Sequence, residues 1–212
     1  MVSEDEAFAR RVRAQVDEEL GRHPRPASWK RAAGVLASAQ LLILVASAAR
    51  FGTQNWRASS GNLAALAGAS AALLALIAGG ALMATMPRGR GPARALALLA
   101  CLAPLSVLLV ADVHPLELAK QASPWKCVWT EVGLSVVPAA LAAWALAGSA
   151  LRPLRSWVAS AGAASGGLLL LLLHCPDLSL WHVSAFHVAP WALMTALAVL
   201  LRRGLPSRTL AP

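Results

Sequence analysis

Six long apolar blocks constrain this chain more than any other feature. They run from Ala32 to Ala49, Leu63 to Met86, Ala95 to Val113, Val132 to Leu151, Trp157 to Leu173 and about Val183 to Leu201. Each approaches the roughly 20 residues that carry an α-helix across a ~30 Å hydrocarbon core. Period-2 alternation is missing, and an open sheet edge finds no hydrogen-bond partners in lipid, so strands are ruled out as the spanning element. The expected fold class is all-α, a polytopic membrane protein with six transmembrane helices and a short cytoplasmic N-terminal amphipathic helix. Charged residues make up only 14% of the chain and mean hydropathy is +0.59, which excludes an ordinary soluble domain.

Basic residues set the expected orientation. Fifteen of the 19 Lys and Arg fall in four groups, each separated from the next by two spans. These are Arg10, Arg11, Arg13, Arg22, Arg25, Lys30 and Arg31; Arg88, Arg90 and Arg94; Arg152 and Arg155; and Arg202, Arg203 and Arg208. Only Arg50, Arg57, Lys120 and Lys126 remain for the other side. The positive-inside rule then places both termini in the cytoplasm and the loops near residues 50–62, 112–131 and 174–182 outside. Asp112, Glu117, Glu131 and Asp177 all fall at outer positions, in agreement. A bacterial inner-membrane location is expected, and no cleavable signal peptide, because residues 1–6 are acidic and no apolar run precedes residue 32. The net charge of +9 follows from this topology and from contact with anionic lipid headgroups, not from direct nucleic-acid binding.

Three regions follow: a cytoplasmic tail over residues 1–30, a six-helix bundle over 31–201 and a C-terminal cytoplasmic tail over 202–212. Ser3 and Glu6 fit a capping box, and Phe8, Val12, Val16 and Leu20 recur at i+4 before Gly21, Pro24 and Pro26 end the pattern. The spacing predicts an amphipathic helix over residues 4–20, with Arg11 and Glu19 flanking its apolar stripe. Such a helix is marginal alone in water and needs a surface to cover the stripe. Two surfaces stay open: the inner leaflet, and a groove on a cytoplasmic protein. Six acids interspersed with the arginines disfavour simple attraction to anionic lipid.

Reactive side chains gather at the opposite end. The connection from His174 to His187 holds three of the five histidines and Cys175, and the loop before the fourth block carries His114 and Cys127. Cys127 and Cys175 sit at the outer boundary on different hairpins, and an oxidising outer compartment makes a disulfide between them the simplest reading. Metal binding is the rival reading, with His114, His174, His182 and His187 as candidate ligands beside the two cysteines. No resident metal or cofactor is assigned, since His182 and His187 are five apart and fall nearly opposite on an ideal helix. Trp125, Trp129, Trp181 and Trp191 suit an interfacial belt. Cys101 reads as a buried small hydrophobe, and Gly162 with Gly166 as a GxxxG contact face. The sequence contains no CxxC, HExxH or GxSxG, so no enzymatic activity is expected.

This layout, with its amphipathic tail, six spans, cysteines before span four and after span five, and His174-Cys175-Pro176 followed by His182 and His187, resembles the NrsF-type multi-pass bacterial anti-sigma factors. The resemblance implies that the tail holds an extracytoplasmic-function sigma factor at the membrane and that the paired outer cysteines matter for the response to stress or light. Carried over by position, the partner-binding residues are Phe8, Val12, Val16, Leu20, Arg11 and Glu19, and the pair is Cys127 with Cys175. The cytoplasmic His-x3-Cys-x2-Cys zinc element of single-span anti-sigma factors is missing from this sequence. The competing class is a small transporter or metal-handling membrane protein that uses the outer His/Cys cluster. Oligomeric state is left open by the sequence.

Overall fold

The computed structural model describes residues 29–52, 63–86, 93–111, 123–147 and 152–205. The tail stripe, including Phe8, Arg11, Val12, Val16, Glu19 and Leu20, lies outside these residues, as does His114. Among the described residues there is no strand, and six helical segments are long and apolar enough to cross a membrane. They are α1 (Trp29–Phe51), α2 (Leu63–Thr85), α3 (Ala93–Val110), α4 (Pro124–Ala147), α5 (Pro153–His174) and a composite sixth span. That last span joins α6 (Leu180–Val183), a π-helical turn (Ser184–Val188) and α7 (Ala189–Gly204). The all-α polytopic architecture read from the six blocks is therefore present.

Two boundaries differ from the sequence reading in ways that matter. Helix α4 begins at Pro124, eight residues before the apolar block, because proline at a first helical position loses only an N–H that has no partner there anyway. Cys127 and Glu131 are consequently helical residues on successive turns, not loop residues. The sixth span likewise starts at Leu180, where Ser179 caps it by accepting the backbone N–H of His182 at 3.4 Å.

Helix α5 is the axis of the bundle. It is buried nearly continuously from Ser156 to Leu172 and touches α1, α2, α3, α4 and α7. A helix apolar on all sides belongs in the middle of a bundle, and small residues let its neighbours approach. A Cβ on Gly162 would lie 2.7 Å from the Cα of Gly80 in α2, so the two backbones meet directly. Gly166 has only a leucine methyl at 3.9 Å; the second tight position is Gly167, which faces Glu131 and Ser135 of α4. Ser135 Oγ donates to the Ala164 carbonyl at 3.1 Å, and Trp191 Nε1 donates to Ser165 Oγ at 3.2 Å.

Large apolar side chains cover the outside, among them Leu42, Leu98, Leu109, Trp144 and Leu201. Water penalises such a surface and lipid accepts it. Helix α1 shows this most clearly, burying Leu36, Gln40 and Ser47 while Val35, Leu41, Leu42 and Val45 face out. Cys101 also faces outward, against the expectation of burial, because the buried stripe of α3 runs through Ala100, Ala103, Val107 and Val110. At the end of the bundle rich in basic residues, Arg155 reaches the C-terminus of α2 and donates to the carbonyls of Met83, Ala84 and Met86. Those carbonyls lie at the helix end, where the ladder supplies too few donors and a cation is favoured.

Candidate functional site

At the other end of the bundle, four side chains from the ends of three spans converge. Cys127 comes from the first turn of α4, Cys175 from the residue after α5, His182 from α6 and His187 from the π-turn. Their ligand atoms all lie within 4.8 Å of one another. The sulfurs of Cys127 and Cys175 are 3.7 Å apart, and Cys175 Sγ is 3.4 Å from His182 Nε2. Cys175, His182 and His187 are buried and Cys127 is half-buried.

Local chain chemistry builds this arrangement. After α5 ends, Asp177 accepts the backbone N–H of Ser179 at 2.9 Å, the short-range bond that aspartate makes in turns. The same carboxylate's other oxygen is 3.3 Å from His182 Nδ1. One aspartate thus shapes the turn and fixes the imidazole, leaving Nε2 to face Cys175. Phe186 packs on His182, ring centroids 5.2 Å apart, and meets Trp125 edge-on at 6.3 Å, closing the aromatic side.

His182 and His187 are where the ideal-helix reading fails. Their rings are 5.0 Å apart, because residues 184–188 form a π-turn in which the Ala189 N–H bonds to the Ser184 carbonyl, five residues back. Widening the turn brings residues five apart toward one face. Pro190 supplies the cause: it has no N–H to give the Phe186 carbonyl and its ring crowds that carbonyl, so the helix opens just before it.

Buried polar groups at this end are incompletely satisfied. His187 is 1% exposed and its Nε2 has no hydrogen-bond partner. One turn inward from Cys127, Glu131 is fully buried with neither carboxylate oxygen hydrogen-bonded. The Cys175 thiol is pushed above its ordinary range, first by its hydrogen bond with Cys127, then by burial and by negative charge on Cys127.

Of the residues singled out in the sequence, the structure brings together Cys127, Cys175, His182 and His187. His174 closes α5 and is not part of the group. Trp125, Trp129 and Trp181 are exposed as a belt requires, but Trp191 is buried and bonded to Ser165. Sequence reasoning missed two roles. Asp177 was visible only as an outer acid, although its placement two residues before Ser179 and five before His182 is a turn-and-orient signal. Glu131 was placed at the outer boundary, although it sits four residues after Cys127 with an apolar run following.

No family model and no solved structure matches the chain. One stretch of 88 residues is 34% identical to the carotenogenesis protein CarR of Myxococcus xanthus. Over that stretch the chain is CarR-like. The match covers 42% of this chain and 39% of CarR, so the chain matches well under half of that relative's length.

Proposed function

We propose that the chain is a non-enzymatic regulator of transcription, a membrane-bound anti-sigma factor that sequesters an extracytoplasmic-function sigma factor through its N-terminal tail. The observation that carries this reading is the 34% identity to a carotenogenesis protein over 88 residues. The amphipathic stripe of Phe8, Val12, Val16 and Leu20 supports it, being a helix-in-groove pattern in need of a covering surface. In this account both termini are cytoplasmic in a bacterial inner membrane. The stripe inserts between sigma-factor regions, with Arg11 and Glu19 at its edges, and keeps the factor from RNA polymerase.

Signal enters at the opposite end. In this reading the Cys127 and Cys175 thiols, free in the structure with sulfurs 3.7 Å apart, close a disulfide and pass two electrons and two protons to an oxidant of the outer compartment. Such a bond would tie the start of α4 to the end of α5, two helices in close contact at Gly167.

A reporter for the sigma factor's promoter tests the reading. Val12→Asp with Val16→Asp in the full chain puts two carboxylates on the stripe, and reporter output should rise at least tenfold with the amount of membrane-inserted protein unchanged. Unaltered repression would refute the contact. Deleting residues 1–22 separates the transporter class, since a transporter keeps most of its flux without its tail while a regulator loses repression.

A further inference from the structure

We propose that Cys127, Cys175, His182 and His187 form a closed four-ligand site for a thiophilic divalent ion of the zinc class at the outer end of the bundle. A tetrahedral ion with Zn–S ~2.3 Å and Zn–N ~2.05 Å sets two sulfurs ~3.8 Å apart and a sulfur and a nitrogen ~3.6 Å apart. The structure has 3.7 Å between the two Sγ atoms and 3.4 Å between Cys175 Sγ and His182 Nε2. All four ligand atoms lie within 4.8 Å, so the widest pair needs to close by no more than about 1.5 Å to reach a tetrahedral edge. Two thiolates and two imidazoles form a set that zinc favours over the oxygen-seeking ions.

Three further features point to a cation there. Asp177 holds Nδ1 of His182 at 3.3 Å while Nε2 faces the cluster, the carboxylate–histidine arrangement that orients metal-bound imidazoles. His187 Nε2 is a buried nitrogen with no hydrogen-bond partner. Glu131 buries an unpartnered carboxyl one helical turn from Cys127, a second incompletely satisfied polar group at this end. The π-turn belongs to the same design, because without it His182 and His187 do not share a face. Bound metal occupies both thiolates, so it and the Cys127–Cys175 disulfide are mutually exclusive states of one cluster.

The test uses the full chain in detergent micelles, reduced and stripped with a chelator, then titrated with Zn²⁺ in one arm and Co²⁺ in another. One ion per chain should bind, and the cobalt form should show thiolate-to-metal charge transfer with the visible bands of a tetrahedral site. Cys127→Ser and Cys175→Ser should each remove or sharply reduce the charge-transfer band. Asp177→Asn leaves all four ligands in place and should weaken zinc binding by about 10- to 100-fold, which keeps the proposal testable if a cysteine variant fails to fold. Substoichiometric uptake by the fully reduced chain, or a cobalt spectrum lacking thiolate bands, would each overturn it. Because the readout is metal on purified protein, its failure leaves the sigma-factor reading untouched.

Discussion

The two ends of the bundle both bury polar groups, and they treat them in opposite ways. At the basic end, Arg155 reaches three carbonyls that close α2, so a charged group and an unfinished helix terminus satisfy each other. At the cysteine end, Glu131 and the His187 Nε2 lie buried without partners beside two thiols 3.7 Å apart. An unsatisfied buried polar group costs stability. One end resolves that cost within the chain and reads as scaffold; the other keeps it beside the four ligand atoms of the proposed ion site.

Substitutions at the two ends should therefore behave differently. The largest loss of stability is expected from Arg155→Met, which keeps an apolar stem but strands the carbonyls of Met83, Ala84 and Met86. Thermal unfolding in micelles should show a cost of about 2 kcal/mol, with zinc binding unchanged; an undiminished midpoint would remove Arg155 from the scaffold. Pro190→Ala acts the other way. It restores an N–H to the Phe186 carbonyl, lets the π-turn relax to an α-turn and swings His182 and His187 apart, so zinc affinity should fall at least about tenfold while stability holds or rises. If the cobalt spectrum and affinity survive that change, the π-turn is incidental to the cluster. The smallest effect is expected from Glu131→Met, which replaces an unpartnered carboxyl by an apolar chain of similar length. In the metal-free protein it should stabilise by about 1 kcal/mol, and a marked loss would mean that the carboxyl has a structural partner.

How far the sequence foretold these ends depends on the kind of signal each carries. Span number and class were legible because a run of about 20 apolar residues has few other uses. The proximity of Cys127 and Cys175 was legible in outline, since both cysteines lie at span edges on the same side; the structure holds them 3.7 Å apart as free thiols. What hid the full cluster was local backbone geometry. Ideal 100° spacing sets His182 against His187, and only the effect of Pro190 on the turn before it reverses that. Glu131 was hidden for a similar reason, because the apolar block begins at Val132 whereas the helix begins at Pro124. Gly167 outranks Gly166 because contact depends on which face of α5 meets α4, which a GxxxG spacing alone does not encode. The tail stripe was read from periodicity and lies outside the described residues, so its role rests on function.

That role is the centre of the account, and direct co-purification tests it. Full-length chain and its Val12→Asp/Val16→Asp variant, each solubilised from membranes of the native cell, are isolated side by side and their bound proteins identified by mass. The account predicts an extracytoplasmic-function sigma factor in near-stoichiometric amount with the native chain and its loss from the variant. Recovery of no sigma factor with correctly inserted native chain, or equal recovery with both, would contradict it.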